Sequence, residues 1–154
     1  MELNFKYTTV LDLLFRAAIS NPSKTYCKSS DYEFTYQQFI TACIKLSNEI
    51  SEKNIKNECI GIFLPNSILF LISYFAILIS GNRPALLNYL LPDFALGKLI
   101  DNLEPSLLIT DKALLKSQNI IVKIEDYLEL EESSIDETDF RCESTEVGAI
   151  LFSG

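Results

Sequence analysis

Carboxylates are the side chains of this sequence that are concentrated enough to suggest chemistry. They crowd residues 125–146, as Glu125, Asp126, Glu129, Glu131, Glu132, Asp136, Glu137, Asp139, Glu143 and Glu146. Carboxylate oxygens are the ligands that hard cations such as Mg²⁺ and Ca²⁺ prefer, so a metal site is one interpretation. A dense run of like charges is more often a solvated segment, and we favour an acidic connection between two elements.

Histidine is absent from the sequence, and the cysteines are not paired. Cys27, Cys43, Cys59 and Cys142 are scattered, with no C-x-x-C motif. A zinc site is therefore disfavoured, as is a nucleophile activated by histidine. Cys43 falls on an apolar helical face and Cys59 opens an apolar run. We expect both to be reduced core thiols, typical of a cytoplasmic protein.

Length and charge narrow the class of protein further. The 154 residues fit one domain, and their 48% hydrophobic content excludes disorder for most of the chain. A net charge of −8 argues against a nucleic-acid partner, which would require a basic surface. The first residues lack a basic leader followed by an apolar run, so no signal peptide is expected.

The elements that would position any site are centred on two short apolar runs, 59–64 and 83–88. Each is too short for a helix and is typical of a strand that is buried on both faces. Residues 67–80, between them, are apolar almost all round, which predicts a helix covered on every side. Asn66 is placed to cap this helix and Gly81 to end it. The pattern predicts a βαβ unit with parallel strands and a right-handed crossover.

A transmembrane helix is the alternative for this region, because residues 59–82 are 24 positions without a formal charge. Such a helix would contain Gly61 and Pro65 near one end. Its flanks also give no clear orientation signal, with only Lys56 before it and Arg83 after it. We therefore favour the βαβ unit and predict no transmembrane segment.

Helix-start signals precede the central unit. Thr9 with Asp12 begins one helix, and Thr35 with Gln38 begins another. Residues 25–28 and 32–35 form a predicted hairpin between the two helices. The first helix should bury Val10, Leu13, Leu14, Ala17 and Ala18. The second should bury Phe39, Cys43, Leu46 and Ile50 and expose Lys45, Glu49 and Lys53.

Strands and helices also alternate after the central unit. A helix is predicted from Pro92 and Asp93 up to Pro105, and a short one over residues 112–117. Further strands are predicted at residues 106–110, 120–124 and 147–152.

Four segments, taken in order, match the motifs of one enzyme superfamily. Residues 34–39 read FTYQQF and are similar to its L-T-Y-x-E-L motif, with Gln38 replacing the acid. Residues 59–66, CIGIFLPN, are similar to V-A-I-x-L-P-N. Residues 78–88, LISGNRPALLN, are similar to L-K-A-G-x-x-x-V-P-L-N, although the proline is displaced to Pro84. Residues 108–111, LITD, follow. From about Thr9 to Gly154 the chain resembles the N-terminal part of the adenylate-forming ligases, which include acyl-CoA synthetases and amino-acid-adenylating domains.

This resemblance implies an α/β fold with a largely parallel sheet and flanking helices, an N-terminal subdomain fragment of the ligase fold. Residues 1–154 would then divide into an α/β core (9–124), an acidic connection (125–146) and a strand entering the phosphate loop (147–154).

The resemblance also places Ser153 and Gly154 at the start of the superfamily's phosphate loop. In such a loop glycines let backbone N–H groups approach phosphates, and hydroxyls add donors. Alone, Ser-Gly is as common as any turn. These two residues are the only predicted cofactor-binding positions, and no catalytic or metal-ligating residue is predicted. We expect the fragment to be inactive and to bind no cofactor.

For the intact enzyme the resemblance implies ATP and Mg²⁺, a carboxylic acid substrate, and coenzyme A or an acyl-carrier protein as acceptor. The spacing of Gly81, Pro84 and Asn88 is more similar to fatty-acyl ligases than to amino-acid-adenylating domains. The acid itself is not predicted. Two alternatives stay open: a degenerate, non-catalytic relative that serves as an interaction module, and the membrane interpretation above. We also expect the fragment to self-associate through surface that the rest of the fold would cover.

Overall fold

The computed structural model of the chain describes residues 9–114, 118–130 and 150–152. Its helices are α1 (Val10–Ser20), α2 (Tyr36–Ser51), α3 (Ile68–Ile79) and α4 (Asp93–Leu103), with a 3₁₀ helix at Ile124–Tyr127. Its strands are β1 (Thr25–Lys28), β2 (Glu33–Thr35), β3 (Cys59–Phe63), β4 (Arg83–Leu87), β5 (Leu107–Thr110), β6 (Asn119–Ile121) and β7 (Ile150–Phe152).

Five strands form one parallel sheet in the order β6-β5-β3-β4-β7. The predicted α/β class and largely parallel sheet are confirmed, since all four strands expected at 59–64, 83–88, 106–110 and 147–152 belong to it. The strand predicted at 120–124 is shorter and earlier, at Asn119–Ile121, because the chain turns into the 3₁₀ helix at Ile124.

The central βαβ unit is also confirmed, with one correction at the helix start. Ser67, and not Asn66, is the N-cap of α3, and its hydroxyl accepts a hydrogen bond from the Phe70 N–H at 3.3 Å. Gly81 ends the helix with a φ of 80°, which glycine adopts without steric cost. Every side chain of α3 is buried or half-buried.

The transmembrane alternative is wrong, because residues 59–82 are divided between a strand, a turn and a twelve-residue helix. Within residues 9–114 and 118–130, no helix combines the length and the apolar character needed to cross a bilayer.

The sheet buries two separate apolar clusters, one on each face. The larger cluster packs α1, α2 and α3 against side chains such as Ile60, Ile62 and Ile109. The smaller one packs α4 against Phe63, Leu87 and Leu108. Alternate residues of β3 and β5 enter opposite clusters, as the period of a strand requires. Consequently α3 and α4 lie on opposite faces of the sheet.

Helix α1 begins as predicted but turns a different face to the core. Thr9 and Asp12 form the reciprocal capping box. The buried side chains are Leu11, Leu14, Phe15 and Ala18, whereas Val10 is 49% and Leu13 52% exposed. The prediction that Val10 and Leu13 are buried is therefore wrong, and the buried face of α1 is rotated about the helix axis from the predicted one. The helix carries enough apolar residues for two competing stripes, and only tertiary packing selects between them.

Helix α2 confirms its predicted cap and its predicted buried stripe. Thr35 and Gln38 form the capping box, and Phe39, Cys43, Leu46 and Ile50 are all fully buried. Lys53 is exposed as predicted, whereas Lys45 and Glu49 are half-buried and only partly face water. The Lys45 ammonium donates to the Asp126 carbonyl oxygen at 2.9 Å and lies 4.9 Å from the centre of the Tyr127 ring.

The remaining elements are mostly as predicted. The β1–β2 hairpin is antiparallel. Helix α4 ends at Leu103, and its C-cap, Glu104, adopts the left-handed conformation before Pro105. Residues 112–114 of the predicted short helix are not helical, and 115–117 lie outside the described residues. So does the acidic connection beyond residue 130, as do residues 147–149.

Self-association remains a prediction, and the sheet order gives it a location. Within the described residues β7 pairs only with β4 and is the last strand on its side. An open strand edge can pair with a strand of another chain. The net charge of −8 opposes such association, but at physiological salt this repulsion is screened beyond roughly 8 Å. Light scattering should show a mass that rises with concentration. A monomer at every concentration, with a single cooperative melting transition, would contradict the prediction.

Candidate functional site

The carboxyl ends of the parallel strands meet along one edge of the sheet. β3, β4, β5 and β7 end at Phe63, Leu87, Thr110 and Phe152. The connection after β3 leads to α3 on one face, and the connection after β4 leads to α4 on the other. Ligands of open parallel sheets bind at such a point, where neighbouring connections diverge. This edge is the candidate site.

A tyrosine and an aspartate join two strand ends there. Tyr89, just after β4, donates its hydroxyl hydrogen to Asp111 Oδ2 at 2.9 Å, and Asp111 directly follows β5. The Tyr89 ring packs against Phe63 of β3, with 5.0 Å between the ring centres. The hydrogen bond to the Asp111 carboxylate raises the pKa of Tyr89. The phenol therefore stays protonated at neutral pH and is a donor, not a base.

Lys112 adds a positive charge to this pair. Its ammonium lies 5.2 Å from the centres of both the Phe63 and the Tyr89 rings, within range of cation–π attraction. We name Phe63, Tyr89, Asp111 and Lys112 the edge cluster. It holds a cation, a hydroxyl and one carboxylate that is already hydrogen-bonded. The edge cluster could position an anionic group, and it contains no activated nucleophile.

The two sequence-predicted site residues, Ser153 and Gly154, lie outside the described residues. The strand that leads to them is described, and Phe152 pairs with Leu87 of β4. In the sequence, Asp111 belongs to a recognised motif but Tyr89 and Lys112 do not, and none of the three was predicted as a site residue. A usable signal existed, because Tyr89 and Asp111 each follow a predicted parallel strand directly, and such strand ends share one edge.

The three cysteines of the described residues are not suited to nucleophilic chemistry. Cys43 is fully buried, and burial raises its pKa well above the usual value. Burial also raises the pKa of the half-buried Cys27 to about 11, and it raises the pKa of Cys59. These three thiols are free and stay protonated at neutral pH, so they are weak nucleophiles. The core-thiol prediction is confirmed for Cys43, whereas Cys59 is only half-buried; Cys142 lies outside the described residues.

The carboxylates do not form a metal site in the part of the chain that the structure describes. Glu125, Asp126 and Glu129 are exposed. No group of three acidic, cysteine or histidine residues there is close enough to hold an ion. The other carboxylates of the acidic segment lie outside the described residues, so the interpretation as an acidic connection stays a prediction.

Residues 14–149 match the sequence pattern of the AMP-binding enzymes. The chain belongs to this family. The resemblance identified from the motifs is thereby confirmed. One relative, enterobactin synthase component F of Escherichia coli K12, is 27% identical to this chain over 110 residues. That alignment covers 71% of this chain but only 8% of the relative.

Solved structures show the same fold. The N-terminal subdomain of NpsA from Klebsiella oxytoca superposes with a TM-score of 0.65 at 16% identity, over 73% of this chain and 30% of that one. The Bacillus subtilis o-succinylbenzoate coenzyme A synthetase, in complex with AMP, gives 0.65 at 18% identity, over 80% and 34%. These AMP-binding relatives confirm the N-terminal subdomain fold. The chain spans about a third of each structure.

Proposed function

We propose that this chain is the N-terminal part of an ATP-dependent ligase that joins a carboxylic acid to a thiol. Membership of the AMP-binding family over residues 14–149 is the observation that carries the proposal. In the first step a carboxylate oxygen would attack the α-phosphorus of ATP, and the bond to the β-phosphate oxygen would break. Acyl-adenylate and pyrophosphate result. In the second step a thiol would attack the acyl carbon, giving a thioester, AMP and a proton.

The described residues fit part of this chemistry. β7 lies beside β4 and runs toward the candidate edge, so Ser153 and Gly154 are the proposed start of a phosphate loop. Lys112 supplies a cation at the same edge of the sheet. Mg²⁺ would arrive with the ATP phosphates and neutralise their charge. The described residues offer no group of ligands for it, and we assign it none.

The thiol acceptor and the acid are proposed only as classes. Coenzyme A and a carrier protein both stay candidates, since the structural relatives include a coenzyme A synthetase and an adenylation–PCP di-domain protein. The expected similarity to fatty-acyl ligases gains no support from relatives such as enterobactin synthase component F. We infer a cytoplasmic location from the free thiols of Cys27, Cys43 and Cys59.

A non-catalytic interaction module is the second candidate, because apolar side chains are exposed near the candidate edge. Leu90 is 87% and Phe94 74% exposed. The coding sequence after Gly154 separates the two functions. Continuation into residues rich in glycine, serine and threonine and then Lys-Gly would favour the ligase, whereas a stop codon would favour the module.

The 154 residues alone should catalyse no ATP–pyrophosphate exchange with any carboxylic acid, because they contain at most two phosphate-loop residues. A longer protein encoded by the same gene should catalyse exchange with its own acid, and Ser153→Ala should slow this exchange because a phosphate donor is lost. Incorporation of labelled pyrophosphate into ATP measures both. Exchange by the purified 154 residues would show that the catalytic groups are misassigned, and an inactive longer protein would contradict the proposed function.

A further inference from the structure

A groove between α4 and residues 112–114 has no assigned role. Its volume is about 550 Å³, within the range of small-molecule sites. The apolar part of its lining includes Leu96, Ile100 and Leu114. It lies against α4, on the face of the sheet opposite α3.

Gly97 lies in the groove-facing side of α4 and is not required by packing. A Cβ built at Gly97 would meet no atom within 4 Å, and the backbone there is ordinary helix. Glycine in a helix interior is less stable than alanine, so the helix gives up stability at this position. The absence of a side chain at Gly97 keeps the groove open, because any larger side chain would project into it.

Lys98 and Lys112 are both part of the lining, and their ammonium groups retain hydrogen-bonding capacity. Lys98 Nζ lies 4.4 Å from the centre of the Phe94 ring, and Lys112 Nζ lies against the rings of the edge cluster. A ring face attracts the charge but leaves N–H donors of the ammonium for another acceptor.

The lining also contains two carboxylates, those of Asp93 and Asp101. Asp93 is in the first turn of α4, where Pro92 supplies no side-chain cap and the helix N-terminus attracts the carboxylate. Asp101 already has an interaction partner. The lysines are therefore the groups that a ligand would engage.

We propose that this groove binds a small amphipathic anion. Its apolar body lies along Gly97 over Leu96, Ile100 and Leu114, and its acidic group lies between Lys98 and Lys112. Lys112 belongs both to this groove and to the edge cluster, but the proposal rests on the groove and not on the proposed ligase activity.

A pair of fluorescent probes with one apolar body tests the proposal on the 154-residue chain: 8-anilinonaphthalene-1-sulfonate, and neutral N-phenyl-1-naphthylamine. Gly97→Leu fills the groove and should raise the dissociation constant of both probes at least about tenfold. The matched variant Asn102→Leu adds the same side chain to α4 outside the groove and should leave both constants within about twofold. Circular dichroism confirms that each variant is folded.

A second variant keeps the test decisive if Gly97→Leu does not fold. Lys98→Gln with Lys112→Gln, both exposed positions, should weaken the sulfonate at least about fivefold and leave the neutral probe nearly unchanged. Equal loss of both probes, or no loss of either, would overturn the anion assignment. Unchanged binding to folded Gly97→Leu would overturn the site, and the apolar groove would then be a surface that polypeptide covers.

Discussion

Phe75→Asp should severely destabilise this protein. Phe75 is only 6% exposed on α3 and contacts the rings of Phe39 and Tyr74 edge-on, with centres 5.8 and 5.2 Å away. The substitution removes a buried aromatic side chain and places an unpaired charge in an apolar cluster. We expect a loss of about 4 kcal/mol or more. Domains of this size are stable by roughly 5–15 kcal/mol, so most molecules would unfold under mild denaturation.

Urea unfolding followed by far-UV circular dichroism measures the effect. Phe94→Asp is the matched control, because Phe94 is 74% exposed on α4 and the same substitution there should cost under about 1 kcal/mol. Phe75→Leu should lose less than Phe75→Asp, since it keeps an apolar side chain. If Phe75→Asp had the same urea midpoint of unfolding as the parent, this face of α3 would be exposed and not buried. That result would favour the interaction-module function.

The central sheet was predictable from the sequence because its signals are local. Short apolar runs such as 59–64 are bounded by Pro65 or Gly81, and buried parallel strands need no alternation that could be misread. The caps at Thr9 and Thr35 were predictable for the same reason. Each depends on a side chain three residues away.

Features that depend on distant residues were not predictable. Lys45 was predicted to face water because it lies on the polar side of α2. Its hydrogen-bond partner, the Asp126 carbonyl group, is 81 residues further along the chain. The face of α1 was misassigned because Val10 and Leu13 extend an apolar stripe whose burial only tertiary packing decides.

The same distinction between local and long-range signals applies to the candidate site. The motif resemblance predicted Ser153 and Gly154 as the start of a phosphate loop, and this assignment stays a prediction. The pairing of Tyr89 with Asp111 spans 22 residues, and it reaches across the end of β3, which lies between the two strands that carry them. A sequence shows which residues follow strands. Strand order decides which of those residues meet.

Asn82 supports the opposite, amino-terminal edge of the sheet through a buried hydrogen-bond network. It is 0% exposed, and its Oδ1 accepts from the Glu58 N–H at 3.0 Å. Its Nδ2 donates to the Ile55 carbonyl oxygen at 3.0 Å and to Ser80 Oγ at 2.9 Å. One side chain thereby joins the segment before β3 to the end of α3 and the start of β4.

Asn82→Leu should destabilise the protein by about 3 kcal/mol, because a side chain of similar size removes the part-buried hydrogen bonds to the Glu58 N–H and the Ile55 carbonyl oxygen. Urea unfolding measures the loss, and Asn102→Leu at an exposed position of α4 is the matched control, expected within about 0.5 kcal/mol of the parent. Hydrogen exchange gives a local readout: the Glu58 amide should exchange faster in Asn82→Leu, beyond what the lower global stability explains. Parent-like stability together with an equally protected Glu58 amide would contradict a stabilising role for this network. The apolar contacts of β3 and β4 alone would then hold this edge of the sheet in place.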